Sequence, residues 1–326
     1  MRRRAFLTGA AALAAASYLA SPARAASRRF EDVLHLLKQA SPTGYRIIAG
    51  QMAAPTQFQV GDATVTISKV DPATWLDRFP PDRLVMACNT MVHETCHAFC
   101  RLKALSMGVL SPGLAVFPSV KETVLVRGTD SFPSADVGPS MLAELRDTTR
   151  FETYIAAAGS NHATQQSGIY GLLNEFSAYY VGNQTAYDLI VHMAKAPESD
   201  GWAWLEHISG LTGTVTAHQE FRGFILSYLH FARKNKPRMF AELMSNKELL
   251  EAFVSINEAH AALCRRWFAY LPELVARLND RGTSMVLRGE HVFYKNSGRG
   301  LAISEYREIE RAIDADPALR AIQQAL

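Results

Sequence analysis

Residues 82 to 107, between Pro80-Pro81 and Gly108, contain neither glycine nor proline. Val92, Thr95, Phe99 and Leu102, with Cys88 before them, recur there on one stripe at helical spacing. The pattern predicts a long helix from about Asp82 to Met107, closed by Gly108. Inside it stands His93-Glu94-Thr95-Cys96-His97. Positions i and i+4 of a helix share a face, so both imidazoles point the same way and can bind one Zn²⁺ at roughly 2.0 to 2.1 Å. By the ~100° step per residue, the two histidines lie about 130° from the centre of the apolar stripe, at the flank where a cleft would meet the helix. With this chain's composition, H-E-x-x-H arises by chance in roughly one of 60 shuffled sequences.

Zinc needs a third protein ligand and an open fourth position. The extended pattern H-E-x-x-H-x-x-G-x-x-H would place Gly at 100 and His at 103, where this chain has Cys100 and Lys103. The better candidate is Glu175, in Gly171-Leu172-Leu173-Asn174-Glu175-Phe176-Ser177-Ala178-Tyr179-Tyr180. On a helix its same-face neighbours are Gly171, Leu172, Ala178 and Tyr179. A carboxylate among small and apolar residues needs a compensating partner, which a metal would supply. Asp130, Asp136, Glu144 and Glu152 compete for the role. Glu94 is free to take a proton from a metal-bound water and return one to a leaving amine. A developing oxyanion needs a second electrophile. Tyr170, Tyr179 and Tyr180 are candidates, with Tyr179 nearest Glu175 on the helical wheel. His162, His218 and His260 are further ones, though a lone helical histidine reads first as a structural residue.

These residues give the chain a resemblance to gluzincin metallopeptidases, in which H-E-x-x-H on one helix is completed by a Glu on another, often within an Asn-Glu dipeptide. His93, Glu94, His97 and Glu175 match that arrangement over about two helices. The helical and strand periodicities along the chain predict a helix-rich α+β fold. A zincin-like core of small sheet plus active-site helix would occupy residues 26–200, with a helical C-terminal region over 201–326, the two forming separate units or one continuous domain. The resemblance also implies a Zn²⁺ cofactor on His93, His97 and Glu175, Glu94 as catalytic base, Tyr179 as its partner and a peptide or protein substrate. Two departures stand out. The Glu follows His97 at a much longer interval than those families use, more like anthrax-lethal-factor-like toxin peptidases. Tyr179 also stands where thermolysin-like enzymes carry an Asp.

The chain of 326 residues is 48% hydrophobic and 20% charged, a globular balance. Its formal charge of +3 depends on Arg2, Arg3, Arg4 and Arg24 and becomes −1 without residues 1–25. A near-neutral body without basic clusters argues against nucleic-acid partners. Residues 1–25 read as an export signal: a basic start, an Ala-rich stretch from about Ala5 to Ala20, and the small-x-small pattern Ala23-Arg24-Ala25. Arg3-Arg4-Ala5-Phe6-Leu7 fits the twin-arginine form. The expectation is a periplasmic or secreted protein that meets the twin-arginine export machinery and does not stay in a membrane once the signal is removed. Later apolar runs are too short for a spanning helix. Four cysteines allow a disulfide in an oxidising compartment. Cys264 with Cys88 or Cys100 is a better geometry than Cys96 with Cys100 on one helix, and free buried thiols are the equal alternative.

Elsewhere, periodicity predicts a helix over Phe30 to Gln39, a β-like stretch over Tyr45 to Val70 with a turn at Gly61-Asp62, and a strand over Glu122 to Val126. Helices follow over Ser140 to Ala158 (ended by Gly159), Gln166 to Val181 (ended by Gly182), Thr216 to Lys234 and Asn246 to Asn279. Thr283 to Tyr294 reads as a hairpin around Arg288-Gly289, Lys295 to Gly300 as a loop, and Ser304 to Ala325 as a terminal helix. The functional expectation is an exported zinc metallohydrolase acting on peptide bonds. A non-catalytic zincin-like metal-binding or interaction protein and a cell-wall amide hydrolase are the alternatives.

Overall fold

Ser41-Pro42 starts a helix where the β-branched run after Tyr45 suggests strand. Ser41 Oγ accepts from the Gly44 amide at 3.3 Å, and Pro42 sits in the first turn, where a missing N–H costs nothing. Ile47 and Ile48 are completely buried by the resulting helix, so packing overrides strand propensity. The structure, a computed structural model, describes residues 28–60, 62–196 and 200–326. The expected export signal, residues 1–25, lies outside them. Helix α1 (Arg28–Ala40) and helix α2 (Pro42–Ala53) lead to a hairpin of β1 (Gln57–Val60) and β2 (Ala63–Thr66), with Gln57 opposite Thr66. β structure is thus confined to the second part of the expected stretch.

A short α3 (Ala73–Leu76) precedes α4 (Leu84–Ser106), which runs as the periodicity predicts. Gly108, at φ +76°, closes it in the left-handed conformation that glycine tolerates. Strand β3 (Leu114–Val116) pairs antiparallel with β4 (Val124–Val126), Leu114 opposite Val126. The single helix expected over Ser140 to Ala158 is broken into a 3₁₀ turn (Ser134–Ser140), α5 (Ala143–Arg146) and α6 (Thr149–Tyr154). Thr148 Oγ1 accepts from the Phe151 amide at 3.2 Å and starts a new helix there, a local hydrogen bond that competes with continuation.

After α7 (Ala163–Gln166) comes α8 (Ile169–Met193), which continues through Gly182 instead of ending there. A Cβ on Gly182 would lie 2.7 Å from Asn89 Oδ1 and 3.0 Å from the Asn89 carbonyl oxygen. The glycine lets α8 press against α4. Helices α9 (Gly201–Val215), α10 (Ala217–Asn235), α11 (Pro237–Ser245) and α12 (Lys247–Asn279) follow. Strands β5 (Met285–Arg288), β6 (His291–Tyr294) and β7 (Ser297–Gly300) form an antiparallel meander, so the expected loop at 295–300 is largely a third strand. The last helix divides into α13 (Ile303–Ala315) and α14 (Pro317–Gln323), because Asp316 caps the Ala318 and Leu319 amides ahead of Pro317.

The result is a helix-rich α+β fold whose sheets are three small, separate antiparallel pieces. Helix α8 is central and touches α2, α4, α9, α10 and α12. One apolar core runs from Phe30 through α4 and α8 to Ile322, across the boundary expected at residue 200. Each large apolar side chain buried there contributes about 1.5 to 3 kcal/mol. Asn89, Asn183 and His260 cross the core as a polar ladder: Asn89 Nδ2 donates to Asn183 Oδ1 at 3.1 Å, and Asn183 Nδ2 lies 3.1 Å from the Thr214 oxygen and 3.2 Å from His260 Nε2. Among the described residues no helix is long and apolar enough to cross a membrane.

All four cysteines are buried and free, as the free-thiol alternative has it, and Cys264 pairs with neither Cys88 nor Cys100. They pack as small apolar residues, and Cys264 Sγ lies 3.6 Å from the Val215 carbonyl instead. Burial pushes the Cys88 and Cys264 thiols up to about 12.

Candidate metal centre

The contact between α4 and α8 brings His93, His97 and Glu175 together. One imidazole atom from each histidine and one carboxylate oxygen lie within 4.8 Å of one another, and this is the group of such ligands found among the described residues. His93 Nε2 and His97 Nε2 are 3.2 Å apart. Glu175 Oε2 lies 3.7 Å from the first and 3.5 Å from the second. Tetrahedral ligands on a zinc ion at about 2.0 to 2.1 Å sit ~3.3 Å from one another, so the triangle already has the right size. Asp130, Asp136, Glu144 and Glu152 are not part of the group.

The chemistry of the three atoms fits a cation. His97 Nδ1 lies 2.7 Å from Asn174 Oδ1, an acceptor, so Nδ1 carries the proton and Nε2 presents its lone pair. His93 is tied to the Ala178 backbone. Glu175 Oε2 is buried and receives no hydrogen bond. Three electron-pair donors therefore face one small space, and a bound cation resolves a repulsion that buried groups otherwise carry at a cost of about 1 to 3 kcal/mol each.

Burial is the main reason the His93 imidazole stays well below its usual pKa, and the neighbouring His97 and Arg150 add to it. His93 is thus neutral and ready to ligate. At His97 burial acts in the same direction, but Glu175 and Glu94 outweigh it and raise the pKa. Protons therefore compete with a metal for Nε2, which makes loading pH-dependent. Glu94 sits half-buried beside the ligands, its carboxyl raised first by desolvation and also by Glu175, against the opposing pull of His97 and Arg78. Such a carboxylate is a stronger base than an exposed one. The His97 side chain is 26% exposed against 12% for His93, so the open side of the centre is at His97.

The three candidate tyrosines separate. Tyr170 is buried, with its hydroxyl at 2.9 Å from the Thr129 amide, and Tyr180 donates to the Pro118 carbonyl at 2.9 Å. Only Tyr179 of the three stacks on a ligand: its ring meets the His93 ring edge-on at 4.6 Å. Its hydroxyl lies 3.3 Å from that of Tyr154. His218 is held between Tyr306 and Asn257 and His260 against Asn183, so both serve the core. His162 lies against Tyr154, ring centres 6.3 Å apart.

Three further residues at the centre are not singled out by the sequence. Asn174 was legible only as the first half of an Asn-Glu dipeptide. Arg150 and Tyr154 reach the centre from α6, a helix whose position depends on distant packing. Compared with protein-family models, with curated proteins and with solved structures, the chain matches none.

Proposed function

We propose that the protein is a zinc-dependent metallohydrolase of gluzincin type, with peptide bonds as its substrate, on a zincin-like core built around α4 and α8. The observation that carries the reading is the facing of His93 Nε2, His97 Nε2 and Glu175 Oε2, three potential ligand atoms within 3.2 to 3.7 Å of one another, with Glu175 Oε2 buried and without a hydrogen bond. His93, His97 and Glu175 would hold the ion. When bound, zinc supplies a Lewis acid that polarises a carbonyl oxygen and acidifies a water.

The chain's own groups would do the rest. Glu94 accepts the proton of the attacking water on its carboxylate and passes it to the leaving amine. Its partial burial keeps that proton within the site. Asn174 holds His97 in one tautomer, and Tyr179, whose ring lies against His93, would turn its hydroxyl from Tyr154 to a developing oxyanion. Export through the twin-arginine route, read from residues 1–25, belongs to the same proposal and would place the activity in the periplasm or outside the cell.

The test is hydrolysis of a peptide library by purified mature protein and by Glu94→Gln, with zinc content measured on both. The expected result is activity in the wild type, loss of at least a hundredfold in Glu94→Gln, and about one zinc per chain in each. Full activity in zinc-loaded Glu94→Gln would remove the mechanism. Peptidoglycan cleavage without peptide cleavage would move the substrate to a cell-wall amide.

A further inference from the structure

Helix α6 is only six residues long, yet it grips Tyr179 at two points. The Arg150 guanidinium carbon stands 4.7 Å from the centre of the Tyr179 ring, and Tyr154, from the same helix, meets the Tyr179 hydroxyl at 3.3 Å. Phe221 supports the ring further, with centres 5.3 Å apart. The other contact of that ring is His93, edge-on at 4.6 Å and 79° between planes.

Arg150 is itself held at both terminal nitrogens, while its Nε and the second oxygen of Glu220 are buried without a partner. Nη1 binds Glu220 Oε1 and, at 3.2 Å, Thr216 Oγ1, while Nη2 donates to the Gly213 carbonyl at 3.2 Å. Glu220 is 2% exposed. A buried ion pair of this kind is weak support for stability, since well-packed apolar residues of similar volume commonly do as well or better. What the pair provides that apolar residues would not is direction. A planar guanidinium fixed at three partners presents one face to one ring.

We infer that Arg150, braced by Glu220, is a positioning residue for the metal centre: through Tyr179 it holds His93 in the rotamer that ligates. The inference deepens the zinc reading and rests on it for its second measurement, though not for its first. No contact between Arg150 and the ion or the substrate is involved.

The test uses the double variant Arg150→Met/Glu220→Gln, which leaves no buried charge unpaired and so preserves the fold. Circular dichroism and thermal melting check that it does. In metal-free protein with ¹³C-labelled histidine rings, wild-type His93 is expected to give one sharp ring signal. In the variant that signal should broaden or split, while that of the buried His207, whose charged neighbours are Glu206, Asp200 and Asp82, stays put. Zinc affinity, read by chelator competition, should then fall about tenfold in the double variant and by a similar factor in Tyr179→Leu, with no further loss when the changes are combined. An unchanged His93 signal in the folded double variant would overturn the inference, as would losses that multiply in the combination, since Arg150 would then not act through Tyr179. Wild-type protein that takes up no zinc would sink the metal reading itself, and the metal-free spectra would still decide the role of Arg150.

Discussion

Asn174 Oδ1 lies 2.7 Å from His97 Nδ1, across a sequence separation of 77 residues and from the position just before Glu175. The Asn-Glu pair therefore acts on the centre twice: Glu175 faces the two Nε2 atoms while its neighbour fixes the ring that carries one of them. Removing the amide frees that ring and its tautomer. Asn174→Ala is expected to weaken zinc binding by about 10- to 100-fold without lowering the stoichiometry at saturating zinc, as measured by chelator competition.

Elemental analysis decides the ligand set. Mature wild type is expected to hold about one zinc per chain, and both His97→Ala and Glu175→Ala should lose it while remaining folded by circular dichroism. Retention in Glu175→Ala alone would place the third ligand elsewhere. Because only the native arrangement gathers the three donors, zinc at about 1,000 times its Kd should stabilise wild type by about 4 kcal/mol, and chelation should remove that gain.

Two glycines predict opposite outcomes. At Gly182 a Cβ would meet the carbonyl oxygen of Asn89 at 3.0 Å and His93 Cβ at 3.3 Å, and the backbone atom has no rotamer by which to move away. Gly182→Ala should therefore separate α4 from α8, lowering stability by about 1 to 3 kcal/mol in denaturant titrations and weakening zinc binding as well. Gly213, in α9, has nothing within 4 Å of its missing Cβ. Gly213→Ala should stabilise the protein by about 0.5 to 1 kcal/mol. If both changes behave alike, the close approach of α4 and α8 at Gly182 is wrong.

Acid should unfold the protein through buried histidines. Desolvation pushes His218 down to about 3 and His207 to about 4, and holds His260 well below its usual pKa. A depressed histidine is neutral when folded and takes up a proton when unfolded, so its contribution is complete above the unfolded pKa of about 6.5 and fades as pH falls from there toward the folded pKa. His207 and His218 each contribute about 2 kcal/mol at pH 7 that is absent at pH 5, and His260 acts in the same direction. Unfolding free energy measured on metal-free protein should fall steeply between these pH values, and the slope should flatten in His218→Gln. A flat profile would mean these rings are hydrated in solution.

Helix α4 was legible because its signal is local. Residues 82 to 107 lack glycine and proline, the apolar stripe has one period, and i, i+4 spacing alone puts His93 and His97 on one face. Glu175 was legible for a similar reason, as a carboxylate whose helical neighbours are small or apolar. Where local signals compete, the sequence misled. Gly182 looked like a helix end, but α8 passes through it because the missing Cβ is used for contact with Asn89. Ser140 to Ala158 looked like one helix, but Thr148 offered a cap that split it. Lys295 to Gly300 looked like a loop, but ladder hydrogen bonds to β6 recruited the run from Ser297 as a strand.

By itself, then, the sequence determined the face of α4 that carries both histidines, the helix-rich class and the best candidate for a third ligand, all properties of residues within a turn or two of one another. Tertiary structure alone decided that Glu175 faces both imidazoles, that Asn174 meets His97, and that Arg150 and Tyr154 stand behind Tyr179. Those relationships join segments far apart in the chain. Their geometry depends on how closely α4 and α8 approach and on where a short helix such as α6 comes to rest, and no periodicity encodes either.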